Sequence, residues 1–128
     1  MEDIKAEPNP DSYKVAEKII NILSSRKVDD IKLLYVENKT VLTDYFIICT
    51  GNSSTQIRSL AGDIEYKMSL DGIKEWNIDG YRDGSWIVVD YGCVMVHIFN
   101  HETRDFYKLR KLWYDAEEID ISDLLNSK

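Results

Sequence analysis

The segment Trp86-Ile87-Val88-Val89-Asp90-Tyr91-Gly92-Cys93-Val94-Met95-Val96-His97-Ile98-Phe99 decides how this chain is read. Two apolar runs flank a glycine, the pattern of two strands joined by a tight turn. A two-residue turn at Tyr91-Gly92 would set Asp90 opposite Cys93, Val88 opposite Met95 and Trp86 opposite His97. Side chains alternate across a strand, so the hairpin has two unlike faces. Ile87, Val89, Val94, Val96 and Ile98 form a wholly aliphatic face. Trp86, Val88, Asp90, Cys93, Met95, His97 and Phe99 form the other, where large contact side chains sit beside a carboxylate and an imidazole. Such a mixture suits a surface that grips another protein better than it suits a core.

Outward from the hairpin, the rest of the chain alternates helical and strand patterns. Residues 1–10 are polar with two prolines and read as a disordered extension. Asp11 or Ser12 can cap a first helix, whose stripe is Tyr13, Ala16, Ile19, Ile20 and Leu23. Strands follow over Ile31 to Val36 and Tyr45 to Thr50, spaced to pair as a hairpin. Ser53 and Gln56 then make a capping-box pattern. Ile57, Leu60, Ala61, Ile64 and Met68 follow at helical spacing, and Gly72 is placed to stop that helix. A strand from about Lys74 to Tyr81 ends in an Asp83-Gly84 turn. A third helix runs from Asn100 or His101 to about Tyr114, with Phe106, Leu109, Leu112 and Trp113 on one side. Asp115 to Lys128 reads as an acidic tail with one helical turn at Ser122 to Leu125. The order predicts an α/β fold: a single mixed sheet of about five strands with three helices. The strand–helix–strand unit over residues 45 to 81 would supply a right-handed crossover if its strands are parallel. The domain itself spans residues 11–115, and 116–128 form the tail.

At 128 residues this is one domain by length. No apolar run is long enough to span a membrane. The acidic start resembles neither a secretory signal nor a transit peptide, and Cys49 and Cys93 sit in apolar strand-like runs, as reduced buried thiols do. These features predict a cytoplasmic protein. The net charge of −7 argues against broad binding of nucleic acid, which needs clustered cations. Lys108, Arg110 and Lys111, beside Arg104, are the only basic cluster. A basic protein surface is the better electrostatic match.

Few residue groupings promise chemistry. The joint from Thr50 to Gln56 offers free helix amides and hydroxyls to a phosphate, but nucleotidyl transfer also needs paired carboxylates for Mg²⁺. Asp63 and Glu65, at spacing two on a helix, point in different directions. An ordinary helix cap accounts for the joint better than a nucleotide site. His97 and Cys93 share a strand face but stand roughly 13 Å apart by strand rise, too far for one metal ion. No serine has an elbow motif, and nothing places Asp83 against Asp90. The expectation is no catalytic residue, no metal and no cofactor.

Three blocks carry a resemblance. Asp44-Tyr45-Phe46-Ile47-Ile48-Cys49-Thr50-Gly51-Asn52-Ser53-Ser54-Thr55-Gln56, then Trp86 to Gly92 with Val94 to Ile98, then Arg104-Asp105-Phe106-Tyr107-Lys108-Leu109-Arg110-Lys111-Leu112-Trp113 resemble, in order and spacing, the signature blocks of the Iojap / ribosomal silencing factor (RsfS) family. The likeness covers about residues 12 to 115. Cys93 and Arg110 stand where the family usually has acids, which unsettles local charge pairing only. The resemblance implies a nucleotidyltransferase-like fold without the catalytic acids. It implies binding to the large ribosomal subunit through ribosomal protein L-fourteen, a block on subunit joining, and repression of translation in starvation. Family members often appear as homodimers. Carried onto this chain, the contact residues are Trp86, Asp90, Tyr91 and His97; Val88 and Met95 join them on face geometry alone. The alternatives are a nucleotidyltransferase-like enzyme using the Gly51 to Gln56 loop, or an assembly factor for the large subunit.

Overall fold

Tyr45–Gly51 is a run of seven consecutive buried residues. A strand apolar on both sides belongs in the middle of a sheet that is covered on both faces, and that is where the computed structural model puts it. The structure describes residues 10–26, 28–36, 43–106 and 116–125. Within them the order is α1 (Pro10–Ser24), β1 (Asp29–Tyr35), β2 (Tyr45–Gly51), α2 (Ser54–Leu70), β3 (Asn77–Asp79), β4 (Trp86–Asp90), β5 (Val94–Asn100), α3 (His101–Phe106), β6 (Glu117–Ile119) and α4 (Ser122–Leu125). The strands form one six-stranded sheet in the order β3-β4-β5-β2-β1-β6. The β2–β5 pair is parallel and the other four are antiparallel.

The expected α/β class and single mixed sheet are present, with several local differences. The strands number six because the acidic tail supplies one. Glu117–Ile119 pairs with Tyr35–Leu33 at the sheet margin, and Ile121 is buried in the core. A strand of three residues with two acids has no periodicity that could announce it. The crossover also differs: the chain leaves β2 through α2 to the far edge at β3 and returns by way of β4. The parallel partner of β2 is therefore β5. The first helix already begins at Pro10, a favoured first-turn residue because its missing amide would be unpaired there anyway. Ser12 consequently lies inside the helix, and its hydroxyl donates to Asp44 Oδ2 at 2.5 Å. Leu109, Leu112 and Trp113, expected on the third helix, lie outside the described residues, as do residues 1–9.

The hairpin turn is Gly92-Cys93, one residue later than expected. Tyr91 N–H donates to the Val94 carbonyl at 2.8 Å. Gly92 takes a φ of +83° and Cys93 does not share that sign, the pattern of turns that use glycine at the first central position. Asp90 accordingly faces Met95, Val88 faces His97 and Trp86 faces Phe99. Moving a turn by one residue moves the register by two, so every strand side chain keeps its expected face.

Those two faces build two cores. α1 and α2 cover the first with Ala16, Ile19, Ile20, Leu23, Ile57, Leu60, Ala61, Ile64 and Met68, against Ile47, Ile87, Val89, Val94, Val96 and Ile98. The second, smaller cluster is Leu34, Val36, Phe46, Ile48 and Phe99, with Trp86 and Met95 partly buried against it. The hairpin's mixed face is thus partly a core in its own right.

The β3–β4 connection is held by Arg58 of α2, which donates to the carbonyls of Tyr81 at 2.9 Å and Arg82 at 2.7 Å. Gly80 in the same connection has φ +83°, and a Cβ there would lie 2.1 Å from the Trp86 carbonyl oxygen. That neighbour is backbone and cannot step aside. Gly80→Ala is therefore expected to cost about 2 kcal/mol or more of folding stability, measured by urea denaturation; a loss below about 0.5 kcal/mol would show that the strand pairing beside Trp86 tolerates the change.

Candidate functional site

The register places three rows of side chains across the second face of the sheet. One row runs Asn77, Asp90, Met95, Phe46, Leu34, Glu118. The next runs Asp79, Val88, His97, Ile48, Lys32. The third begins with Trp86 and Phe99 and continues to Thr50. Trp86, Val88, Asp90 and Met95 are half-buried, and Asn77 and Asp79 at the β3 margin are exposed. The accessible part of this face is therefore an apolar strip of Trp86, Val88 and Met95, with Asp79 and Asp90 alongside.

Trp86 is held in place from below. Its Nε1–H donates to His97 Nδ1 at 3.2 Å. The indole lies 5.3 Å from the Phe99 ring and 6.1 Å from the imidazole, each tilted by 30°. Phe46 meets the imidazole edge-on at 4.7 Å, and Phe99 stacks on it at 6.0 Å. A large aromatic already fixed in one orientation loses little freedom when a partner covers it.

His97 is 5% exposed. It supports the site from underneath and does not itself offer a contact surface. Burial pushes its pKa down from 6.5 to about 4, because a charged ring would have to give up its water. The neutral ring accepts at Nδ1, so Nε2 carries the hydrogen; that nitrogen has no hydrogen-bond partner among the described residues. A sealed, neutral imidazole is poorly suited to acid–base work at neutral pH.

Tyr91 departs from the expected constellation. Its side chain is 6% exposed and packs in the larger core, beneath the other face. Cys93 packs toward the same core. Both flank the turn, where the strand alternation that assigned Cys93 to the Trp86 face no longer holds. Asp90 has a structural duty as well, since its Oδ1 accepts from Gly92 N–H at 2.7 Å. Sequence reasoning missed Phe46, which reaches the site only through the parallel β2–β5 pairing. Its place in an alternating strand was visible, but its neighbour was not.

The Thr50 to Gln56 joint is an ordinary capped helix start. Ser53 Oγ accepts from Gln56 N–H at 3.0 Å, and Gln56 Oε1 accepts from Asn52 N–H at 2.5 Å. Those amides are engaged within the chain. Asp63 is committed to Arg26 at 3.3 Å and Lys67 at 3.4 Å. Ser85 donates to the nearby Asp83 carboxylate, with no histidine in the pair. Among the described residues no cluster of His, Cys, Asp and Glu could hold a metal ion.

Residues 9–128 match the family model described as ribosomal silencing factor during starvation. The chain belongs to the ribosomal silencing factor family. The ribosomal silencing factor RsfS of Bacillus subtilis is 36% identical over 101 residues, covering 79% of this chain and 86% of that protein. A crystal structure of a Chromobacterium violaceum protein superimposes with a TM-score of 0.76 at 30% identity, over 80% of this chain and 85% of the other. The protein named mitochondrial assembly of ribosomal large subunit protein 1 from Mus musculus is 27% identical over 87% of this chain and 52% of that protein. The chain thus shares its fold with the silencing factor family.

The buried His97 predicts a pH signature. Unfolded imidazole titrates near 6.5 and the folded one near 4. Between these values the unfolded chain binds a proton that the folded chain does not. The stability from this group is full above about pH 6.5 and falls by about 3 kcal/mol as pH drops to about 4. His97→Gln, which keeps an acceptor for Trp86, should lose less stability across that window. Parallel stability curves for the two proteins would show that the imidazole is not sealed from water.

Proposed function

We propose that this family member is a non-enzymatic, cytoplasmic repressor of translation that binds the large ribosomal subunit through ribosomal protein L-fourteen and blocks subunit joining. The observation that carries this reading is the Trp86–Val88–Met95 strip: an immobilised aromatic anchor, apolar neighbours, and the acids Asp79 and Asp90 at its margin. Such an arrangement fits an apolar contact on a basic protein. The net charge of −7 disfavours docking on ribosomal RNA and so narrows the choice of partner.

Inhibition then needs only bulk. A domain of this length has a radius of gyration of roughly 14 Å, and a body that size cannot sit between two closely apposed subunits. By binding free large subunits and not joined ribosomes, it shifts the joining equilibrium through mass action. Enzymatic use of the Gly51 to Gln56 loop has less support, since the cap engages the Asn52 and Gln56 amides and, among the described residues, no pair of carboxylates stands beside the loop. A second reading, assistance to large-subunit assembly, is favoured by one observation, the name of the Mus musculus relative.

Trp86→Ala is expected to weaken binding to purified large subunits by about 2 kcal/mol, or roughly 30-fold in Kd. Co-sedimentation measures this, with circular dichroism confirming the fold. Unchanged sedimentation would remove Trp86 from the contact. Subunits that still join at saturating protein would end the repressor reading, and immature large particles in cells lacking the protein would favour assembly.

A further inference from the structure

The most exposed large apolar side chain among the described residues is Trp76, which directly precedes β3 and is 77% exposed. It is nevertheless fixed in place. Its backbone N–H donates to the Asp90 carbonyl at 2.7 Å. Its six-membered ring lies on Gly92, where a Cβ would stand 2.7 Å from Cζ2 and 2.9 Å from both Cε2 and Cη2. Three consecutive ring atoms at nearly one distance mean that Gly92 meets the flat of the indole. An edge-on approach would leave the outer two atoms markedly farther away. One face of the ring therefore rests on the hairpin turn, and the other is open to solvent.

Gly92 holds a second group beside the indole. Its N–H donates to Asp90 Oδ1 at 2.7 Å, so the carboxylate and the ring are both seated on one residue. Asp90 Oδ2 has no hydrogen bond or ion pair among the described residues. An open aromatic face next to a carboxylate with a spare oxygen suits a guanidinium group. The flat cation stacks on the ring, and its N–H groups reach the oxygen. A compact, strongly hydrated ammonium matches this pair less well.

The pair is continuous with the Trp86–Val88–Met95 strip, because Asp90 faces Met95 across the hairpin. Trp86 and Asp90 are the two ends of β4, roughly 13 Å apart by strand rise. We propose that Trp76 is a second anchor of the ribosome contact, and that Trp76 and Asp90 together receive one arginine side chain of the basic protein that covers Trp86. This inference rests on the repressor reading and extends its contact surface around the hairpin turn. Complementary charge favours the arrangement, since a basic surface meets a carboxylate there. A partner held at both ends of β4 has one orientation along the strand. A partner held by Trp86 alone could pivot about it.

The test is co-sedimentation of the full chain with purified large ribosomal subunits, read as Kd, beside melting temperatures. Trp76→Leu should weaken binding about tenfold. Its melting temperature should stay within about 2 °C of the parent chain, since most of the side chain is already in water. Trp76→Phe keeps an aromatic face and should bind within about threefold of the parent. Asp90→Asn keeps an acceptor for Gly92 N–H but removes the charge, and should cost about fivefold. One guanidinium serves both side chains, so the double variant Trp76→Leu, Asp90→Asn should lose no more than about twentyfold, short of the roughly fiftyfold of independent effects. A loss equal to the product of the single losses would overturn the shared arginine. Trp76→Leu binding within about twofold of the parent would overturn the second anchor. If Trp86→Ala still binds weakly in that case, the repressor contact survives; if it too binds normally, both readings fall. A melting temperature lowered by more than about 5 °C in Trp76→Leu would also overturn the anchor, by showing that the indole serves the turn.

Discussion

Everything in this molecule hangs on the parallel pairing of β2 with β5. It joins the Tyr45–Gly51 strand to the Val94–Asn100 strand over seven consecutive pairs. One antiparallel unit, β1 and β2, lies to one side, and the β3-β4-β5 meander lies to the other. Without that seam there would be two separate hairpin units, each with an apolar face in water. With it, α1 and α2 share one continuous floor. Parallel neighbours need a long connection, and here α2 and the returning strands provide it.

The seam also builds the face proposed as the contact surface. Phe46 comes from β2, His97 and Phe99 from β5, and Trp86 from β4. Only the parallel register brings Phe46 against the imidazole, and only the antiparallel register brings Trp86 over Phe99. The result is a face with two depths. Its lower layer is a small core that fixes orientation. Its upper layer keeps Trp86, Val88 and Met95 within reach of solvent. Burying a histidine there has a cost, which the Trp86 hydrogen bond offsets in part. What is gained is an indole held in one pose.

Much of this was legible in the residues. Local periodicity located α1, α2 and the main strands, and alternation assigned the hairpin faces even though the turn was set one residue early. The capping pair Ser53 and Gln56 was legible for the same reason, because its physics is confined to four residues. What escaped was non-local or short. The β2–β5 partnership is set by the whole chain's path, so Phe46 was missed. β6 is too brief to carry a pattern. Tyr91 and Cys93 stand where the strand ends, and a one-residue shift in the turn decides which layer they enter. Val88 and Met95, chosen on alternation alone, do stand on the half-buried strip.

Both margins of the sheet are short. β3 and β6 have three residues each, and β6 carries two acids. A long bare margin would invite other chains to add strands without limit. Among the described residues, the outermost strands offer only short stretches to template such growth. Short margins favour contacts between copies through side chains on helices or on the broad faces, in contacts that saturate and reverse. Crowding would therefore favour discrete particles over fibres.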